Sequence, residues 1–210
     1  PLTKTFSLGN NGKLDKSSYP MVKNFTSYTE TVSTIDEFHD AVISHAALGH
    51  CLLKGKLDMP LANESRAGHT SPNDTTDYVV FDIDGLPYTP DEFMKIIGHG
   101  SIEYFVQYSA SAGVIPAQDS GIINPSMNRY HIFAMLDKPH RPDELKAWLK
   151  HLNLTKTELS DSFELTATNM SLSWPLDITV CQNDKLIYIS PPECSAGVLD
   201  TIEQTRITKV

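Results

Sequence analysis

Long apolar runs are missing from this chain of 210 residues. The longest, such as Tyr78 to Phe81 and Ile132 to Leu136, fall far short of the about 20 residues that a membrane-spanning helix needs. A basic-then-apolar leader is missing too, so the expectation is a soluble protein of the cytoplasm. Cysteine is scarce: Cys51, Cys181 and Cys194 are odd in number and widely scattered, which argues for reduced thiols and against a disulfide framework or a thiolate zinc site. Positive charge is in deficit, with 17 Lys and Arg against 26 Asp and Glu and a net charge of -9. That balance argues against a protein that coats nucleic acid by electrostatics alone, because such affinity comes from many phosphate contacts. It leaves room for a nucleic-acid enzyme, since a centre that binds divalent metals is itself acidic. No internal repeat or low-complexity run is present. Without a secretory leader, the Asn-x-Ser/Thr matches beginning at Asn24, Asn63, Asn73, Asn153 and Asn169 carry no weight.

With 40% hydrophobic residues the chain can bury a real core, and one compact unit is expected. Residues 1 to 27 are polar and turn-rich, which predicts an arm or loops, followed by a single domain over 28 to 210. The missing initiator Met and the abrupt Thr-Lys-Val end suggest a segment of a longer chain. Tyr28 to Ser33 alternates like a strand, and Thr34-Ile35-Asp36-Glu37 is a capping box that opens a helix to about Ala47. Cys51 to Lys54 predicts a short buried strand, and residues 58 to 76 a long polar loop. The clearest strand is Asp77 to Asp84, stopped by Gly85. Thr89-Pro90-Asp91-Glu92 opens a second helix to about Ile97, and strands are expected over Ile102 to Tyr108 and Arg129 to Leu136, the latter ended by Asp137-Lys138-Pro139. Pro142 starts a helix with Leu145, Trp148, Leu149 and Leu152 on one face. Leu176 to Val180 and Lys185 to Ser190 predict an extended segment and a strand about a turn. Strands and helices without strict βαβ repetition give an α+β fold, with a mixed, mainly antiparallel sheet and packed helices.

Side chains at i and i+2 of a strand share a face, so Asp82 and Asp84 present two carboxylates ~7 Å apart along the backbone while Ile83 turns into the core. Hard cations such as Mg2+ and Mn2+ take oxygen ligands, and Mg2+ commonly takes one or two protein carboxylates beside water and substrate phosphates. Asp177 lies between Leu176 and Ile178, and a carboxylate in an apolar segment is costly unless paired or metal-bound. Val80 to Gly85 also resembles the first motif of haloacid-dehalogenase-type phosphatases, in which Asp82 would be the nucleophile. Against that, Leu86 and Pro87 follow Gly85 where Thr or Val is usual, and Asp161 with its neighbours does not supply the later acidic pair.

Taken in order, Phe81-Asp82-Ile83-Asp84, Tyr130-His131-Ile132-Phe133 and Pro175-Leu176-Asp177-Ile178 resemble the archaeo-eukaryotic primase superfamily, especially the primase-polymerases of phages and plasmids. The resemblance covers about residues 50 to 192. It implies a catalytic core with an RNA-recognition-motif-like palm, template-dependent synthesis from nucleoside triphosphates on a DNA template or primer, and Mg2+ or Mn2+ as cofactor. It also implies the cytoplasm of a bacterial or phage-infected cell and a helicase domain or subunit as partner. Asp82, Asp84 and Asp177 become metal ligands, and His131 a triphosphate contact. The implied chemistry is two-metal nucleotidyl transfer, which needs little beyond positioning and charge neutralisation. The family's small hydroxyl residue two positions before the His is replaced by Arg129, whose guanidinium suits phosphate. Ser109 and Ser111 are candidates to supply the lost hydroxyl. Lys54, Lys56, Arg66 and His69 form a modest basic cluster before the Asp-x-Asp strand, of which Lys54 and Arg66 are candidate nucleotide contacts. Gln182, Asn183 and Lys185 follow Asp177 without a geometry to assign them, and Tyr130 is the one aromatic residue of its group that is a candidate to face a nucleotide, the others being expected in the core. A non-catalytic nucleotide- or DNA-binding module is the third reading.

Overall fold

The computed structural model describes residues 1–121, 128–166 and 168–210. Chain order begins with β1 (Thr5–Leu8), β2 (Leu14–Lys16), β3 (Asn24–Thr26), α1 (Ile35–Ala47), β4 (Cys51–Leu53) and β5 (Ala62–Ser65). The middle holds β6 (Thr76–Asp84), α2 (Pro90–Ile96), β7 (Phe105–Tyr108), β8 (Val114–Pro116), β9 (Arg129–His140), α3 (Pro142–Thr155) and α4 (Thr157–Ser160). Short strands complete the chain: β10 (Glu164–Leu165), β11 (Leu172–Ser173), β12 (Leu186–Tyr188), β13 (Glu193–Cys194), β14 (Val198–Asp200) and β15 (Ile207–Lys209). The architecture is α+β with mainly antiparallel pairing, as the unrepeated mixture of elements predicts.

A four-stranded antiparallel sheet, ordered β15-β7-β9-β6, organises the core. Its two faces follow from alternation along β6. Phe81 and Ile83 point to one face, where Phe81 meets Phe93 of α2 and Trp148 of α3 edge-on. Val80 points to the other, in register with Phe133 and, through it, Phe105. Phe38 of α1 covers that patch with T-shaped contacts to Phe105 and Phe133. The capping box places α1 as predicted: Thr34 Oγ1 accepts from the Glu37 N–H, and the Glu37 carboxylate accepts from Ser33 and Thr34. Ile35, Phe38, Val42 and Ala46 then fall on one buried stripe. Full burial of each large apolar side chain contributes roughly 1.5–3 kcal/mol. A smaller cluster of Phe6, Val114 and Val198 joins the N-terminal hairpin to the β8–β14 pair.

Several local expectations are corrected. Tyr28 to Ser33 is not a strand; Tyr28 stacks on His50, and Ser33 spends its N–H on the Glu37 cap instead of a neighbouring strand. The first 27 residues carry three short strands and are not only loops. The polar connection of 58 to 76 contains β5, which pairs with β3. β7 starts at Phe105, not Ile102. Pro139 does not end β9, because it lies in the register shift between the pairs Tyr78–Met135 and Thr76–His140, where no regular ladder bond is required of it. Leu176 makes a single bridge to Ile83, and residues 178 to 180 form a turn. Among the described residues no helix is long and apolar enough to cross a membrane.

Candidate active site

The side of the sheet that α1 covers becomes polar toward the C-terminal end of β6. Register places Asp82 opposite His131 and His131 opposite Gln107, so the three side chains form one row across three strands. Asp84 faces Arg129 one step further along. Asp177 extends the row beyond the edge of β6, where its N–H donates to the Asp82 carbonyl at 3.3 Å. Asn153 of α3 fixes that edge: it accepts from the Leu176 N–H at 3.0 Å and donates to the Leu176 carbonyl at 3.0 Å and the Leu149 carbonyl at 2.9 Å. Gly85 ends the strand with φ of 94°, a left-handed turn that a β-carbon would strain, and its N–H reaches the Asn128 carbonyl.

These residues open into a cleft of about 260 Å³ lined by Asp82, Asp84, Ser109, Ser111, Arg129 and His131 on the sheet side and by Lys4, Tyr19, Lys185 and Tyr188 opposite. Every carboxylate here has a basic side chain as partner. His131 Nε2 lies 3.3 Å from Asp82, Arg129 Nε 3.0 Å from Asp84, and Lys185 Nζ 3.2 Å from Asp177. Burial raises the Asp82 carboxyl, but the charge and hydrogen bond of His131, with Lys185 beyond, outweigh burial and hold it below the usual carboxylate value. Gln107, fully buried, donates to the Tyr108 carbonyl at 2.5 Å and turns its oxygen to His131 Nδ1 at 2.6 Å. That contact assigns the proton to Nδ1, so Nε2 can donate to an anion only as the imidazolium.

The donor set is all oxygen, with Cys51, Cys181 and Cys194 absent from the cleft, and its chemistry fits a hard divalent cation. It is not a preassembled cage: among the described residues no group of three or more His, Cys, Asp or Glu side chains is gathered closely enough to hold a metal. Asp177 in particular accepts from the Thr179 N–H at 2.7 Å and from its hydroxyl at 3.0 Å.

Of the residues singled out in the sequence, Asp82, Asp84, Ser109, Ser111, Arg129 and His131 are brought together, and Asp177 adjoins them. Others are placed elsewhere. Lys54 is a core residue at 1% exposure, donating to Thr76 Oγ1 and the Tyr78 carbonyl beneath the Tyr78 ring, and does not line the cleft. Arg66 lies in a separate groove of about 730 Å³ with Lys23, Phe25 and Lys146, and donates to the Asp184 carbonyl. His69 pairs with Asp58, so the basic cluster does not assemble at the cleft. Tyr130 is buried, with its hydroxyl on the Tyr88 carbonyl. Sequence reasoning missed Gln107, Lys4, Tyr19 and Tyr188, and left Lys185 unassigned. Only the β7–β9 register reveals Gln107, whereas Lys185 carried a faint signal as a cation in the turn after Asp177.

A scan against protein-family models, a search of curated proteins and a search of solved structures each find no match to this chain.

Proposed function

We propose that the cleft is the centre of a template-dependent nucleotidyltransferase of primase-polymerase type, which adds nucleotides from triphosphates to a 3'-hydroxyl. The observation that carries this reading is the row Gln107–His131–Asp82, continued by Asp177 and flanked by Asp84 and Arg129, which gathers three separate sequence motifs at one end of a sheet. Asp82, Asp84 and Asp177 would hold Mg2+ or Mn2+, which when bound supplies charge neutralisation on the triphosphate and activation of the attacking hydroxyl. The pairs Arg129–Asp84 and Lys185–Asp177 are at least one-third exposed, and such pairs are worth only about 0–1 kcal/mol. Their exchange is therefore cheap: the carboxylates turn to the cation, and Arg129 and Lys185 turn to phosphate oxygens. His131, held by Gln107, donates from Nε2 to the triphosphate, and Ser109 and Ser111 offer hydroxyls beside it.

In this reading the four-stranded sheet serves as the RNA-recognition-motif-like palm, with antiparallel neighbours throughout. The groove with Lys23, Phe25, Arg66 and Lys146 offers cations and one aromatic ring to a DNA template. The setting that follows is a bacterial or phage-infected cytoplasm, with a helicase domain or subunit as companion. The phosphatase reading is weaker, because Asp161 caps the end of α4 and does not line the cleft.

Extension of a labelled primer on a DNA template, with Mg2+ or Mn2+ and with deoxy- and ribonucleotides offered separately, tests the proposal. The double variant Asp82→Ala/Asp84→Ala should fold, by circular dichroism, and extend nothing. Extension retained by that variant would sink the assignment. Hydrolysis of small phosphomonoesters with an aspartyl-phosphate at Asp82 would favour the phosphatase, and nucleotide binding without product a non-catalytic module.

A further inference from the structure

Tyr19 and Tyr188 stack face to face on the wall of the cleft, with centroids 3.8 Å apart and planes 8° from parallel. Lys4 Nζ closes the outer face of Tyr19 at 4.5 Å from its centroid. The two tyrosines are held very differently. Tyr188 belongs to β12, where it pairs with Cys51 of β4, and its neighbours Ile187 and Ile189 are buried. Tyr19 belongs to the segment between β2 and β3, in which Met21 is fully exposed and Val22 is 41% exposed. Among the described residues the backbone of Ser18 to Lys23 makes no hydrogen bond, and neither tyrosine hydroxyl has a partner. The segment is thus joined to the cleft chiefly by the Tyr19 ring.

Parallel rings at this separation are the geometry in which a nucleobase lies on an aromatic side chain, and a phenol ring and a base are interchangeable occupants of such a surface. Position supports the comparison. Lys185 and Tyr188 both line the cleft, three residues apart on one extended segment, hence about 10 Å apart. That is comparable with the reach of a nucleoside triphosphate from its phosphates to its base. Arg129, His131 and Lys185 each pair with a carboxylate of the row, and the Tyr188 ring lines the same cleft.

We propose that Tyr188 is the platform on which the base of the incoming nucleotide stacks, and that Tyr19 occupies this platform until the base displaces it. This rests on the nucleotide reading of the cleft. The chain then carries its own competitor, and nucleotide affinity is lowered by the fraction of molecules in which Tyr19 is seated.

Isothermal titration calorimetry with Mn2+ and either ATP, dATP or inorganic tripolyphosphate separates the possibilities. Tyr188→Ala should weaken nucleotide binding roughly 10- to 100-fold, and Tyr188→Phe should restore it. Tyr19→Ala should strengthen it, roughly 3- to 10-fold. None of the three should alter tripolyphosphate, which has no base. Effects of the same sign from Tyr19→Ala and Tyr188→Ala, or an equal loss of tripolyphosphate, would mean that the stack is structural and overturn the platform. Should Tyr188→Ala fail to fold, limited tryptic cleavage after Lys23 of the unaltered chain still decides: nucleotide should accelerate it and tripolyphosphate should not, and equal rates refute displacement. If the unaltered chain binds neither nucleotide nor tripolyphosphate, the proposed function itself fails. If it binds tripolyphosphate and the base adds nothing, only the platform fails.

Discussion

Lys54 gives a quantitative test of how the core is held. Its ammonium group is buried at 1% exposure and makes no ion pair among the described residues; it is supported by Thr76 Oγ1 at 2.5 Å, the Tyr78 carbonyl at 3.1 Å and the Tyr78 ring at 4.1 Å. Burial lowers its pKa from 10.5 to about 8, against smaller opposing effects of Cys181 and Asp77. At about 1.36 kcal/mol per pH unit, that gap amounts to on the order of 3 kcal/mol, which the charged lysine costs the fold at neutral pH. The sign follows from proton binding. Between about pH 8 and 10.5 the unfolded chain keeps the proton that the folded chain has released, so the Lys54 contribution to stability rises with pH across that window and is flat below it. Replacement by Met removes the charge and takes away the Lys54 bonds to the Thr76 hydroxyl and the Tyr78 carbonyl, leaving only the long 3.4 Å bond from Thr76 Oγ1 to that carbonyl, at about 1–2 kcal/mol. Lys54→Met should therefore be more stable than the unaltered chain by about 1–2 kcal/mol at pH 7 and less stable by a similar amount near pH 10.5. Urea unfolding followed by the fluorescence of Trp148 and Trp174 measures both. Cys51, raised to about 11 by burial, and Tyr19, raised to about 12, change stability in the opposite sense at high pH, but they cancel in the difference between the two proteins. A difference that stays constant from pH 7 to pH 10.5 would refute a buried, strained ammonium group.

Three further substitutions probe the scaffold of the cleft. Asn153→Ala leaves both polar groups of Leu176 unpaired in the core; it should cost about 2–4 kcal/mol in urea unfolding and reduce primer extension by loosening Asp177. Gln107→Leu should raise the Kd for nucleotide roughly tenfold by freeing the His131 ring, whereas Gln107→Glu, which keeps an acceptor at Nδ1, should retain affinity; equal behaviour of the two would exclude a positioning role. Arg206 is buried against Asp200 and donates to the carbonyls of Tyr108, Ser109 and Ala112, so it pins the loop that carries Ser109 and Ser111. Arg206→Ala should cost about 3–5 kcal/mol in thermal or urea unfolding, and Arg206→Lys should recover little of it because lysine lacks the planar fork.

What could be read in advance was local. The capping boxes at Thr34 and Thr89, the apolar run ending at Asp84 and the stripe of α3 are set by residues within a few positions of one another, and all stand where expected. The errors lie where partners are distant. Tyr28 to Ser33 has strand-like alternation but no neighbour to pair with, while the less regular Asn24 to Thr26 finds β5. Lys54 looked like a phosphate contact because lysines are usually exposed, and nothing nearby in sequence announced that Thr76 and Tyr78 would enclose it. Gln107, Lys4 and Tyr188 reach the cleft only through register and tertiary packing, which no single segment encodes.

The charge of the chain makes the composition of the cleft more telling than any one motif. Against a net charge of -9, a random patch of surface should be acidic, yet the cleft sets Lys4, Arg129 and Lys185 against Asp82 and Asp84, with His131 able to add a further positive charge. A site that had only to bind a divalent cation would gain from excluding those cations, since they compete with it for the same carboxylates. A site that had only to bind phosphate would gain from excluding the carboxylates. Keeping both sets within ion-pair distance, in pairs weak enough to exchange, suits a ligand that brings positive and negative charge together, as a metal–triphosphate complex does. On that reasoning neither partner binds well alone. Nucleotide affinity should collapse on removal of Mg2+ or Mn2+ by EDTA, metal affinity should rise when nucleotide is present, and calorimetry showing independent binding of the two would refute the exchange.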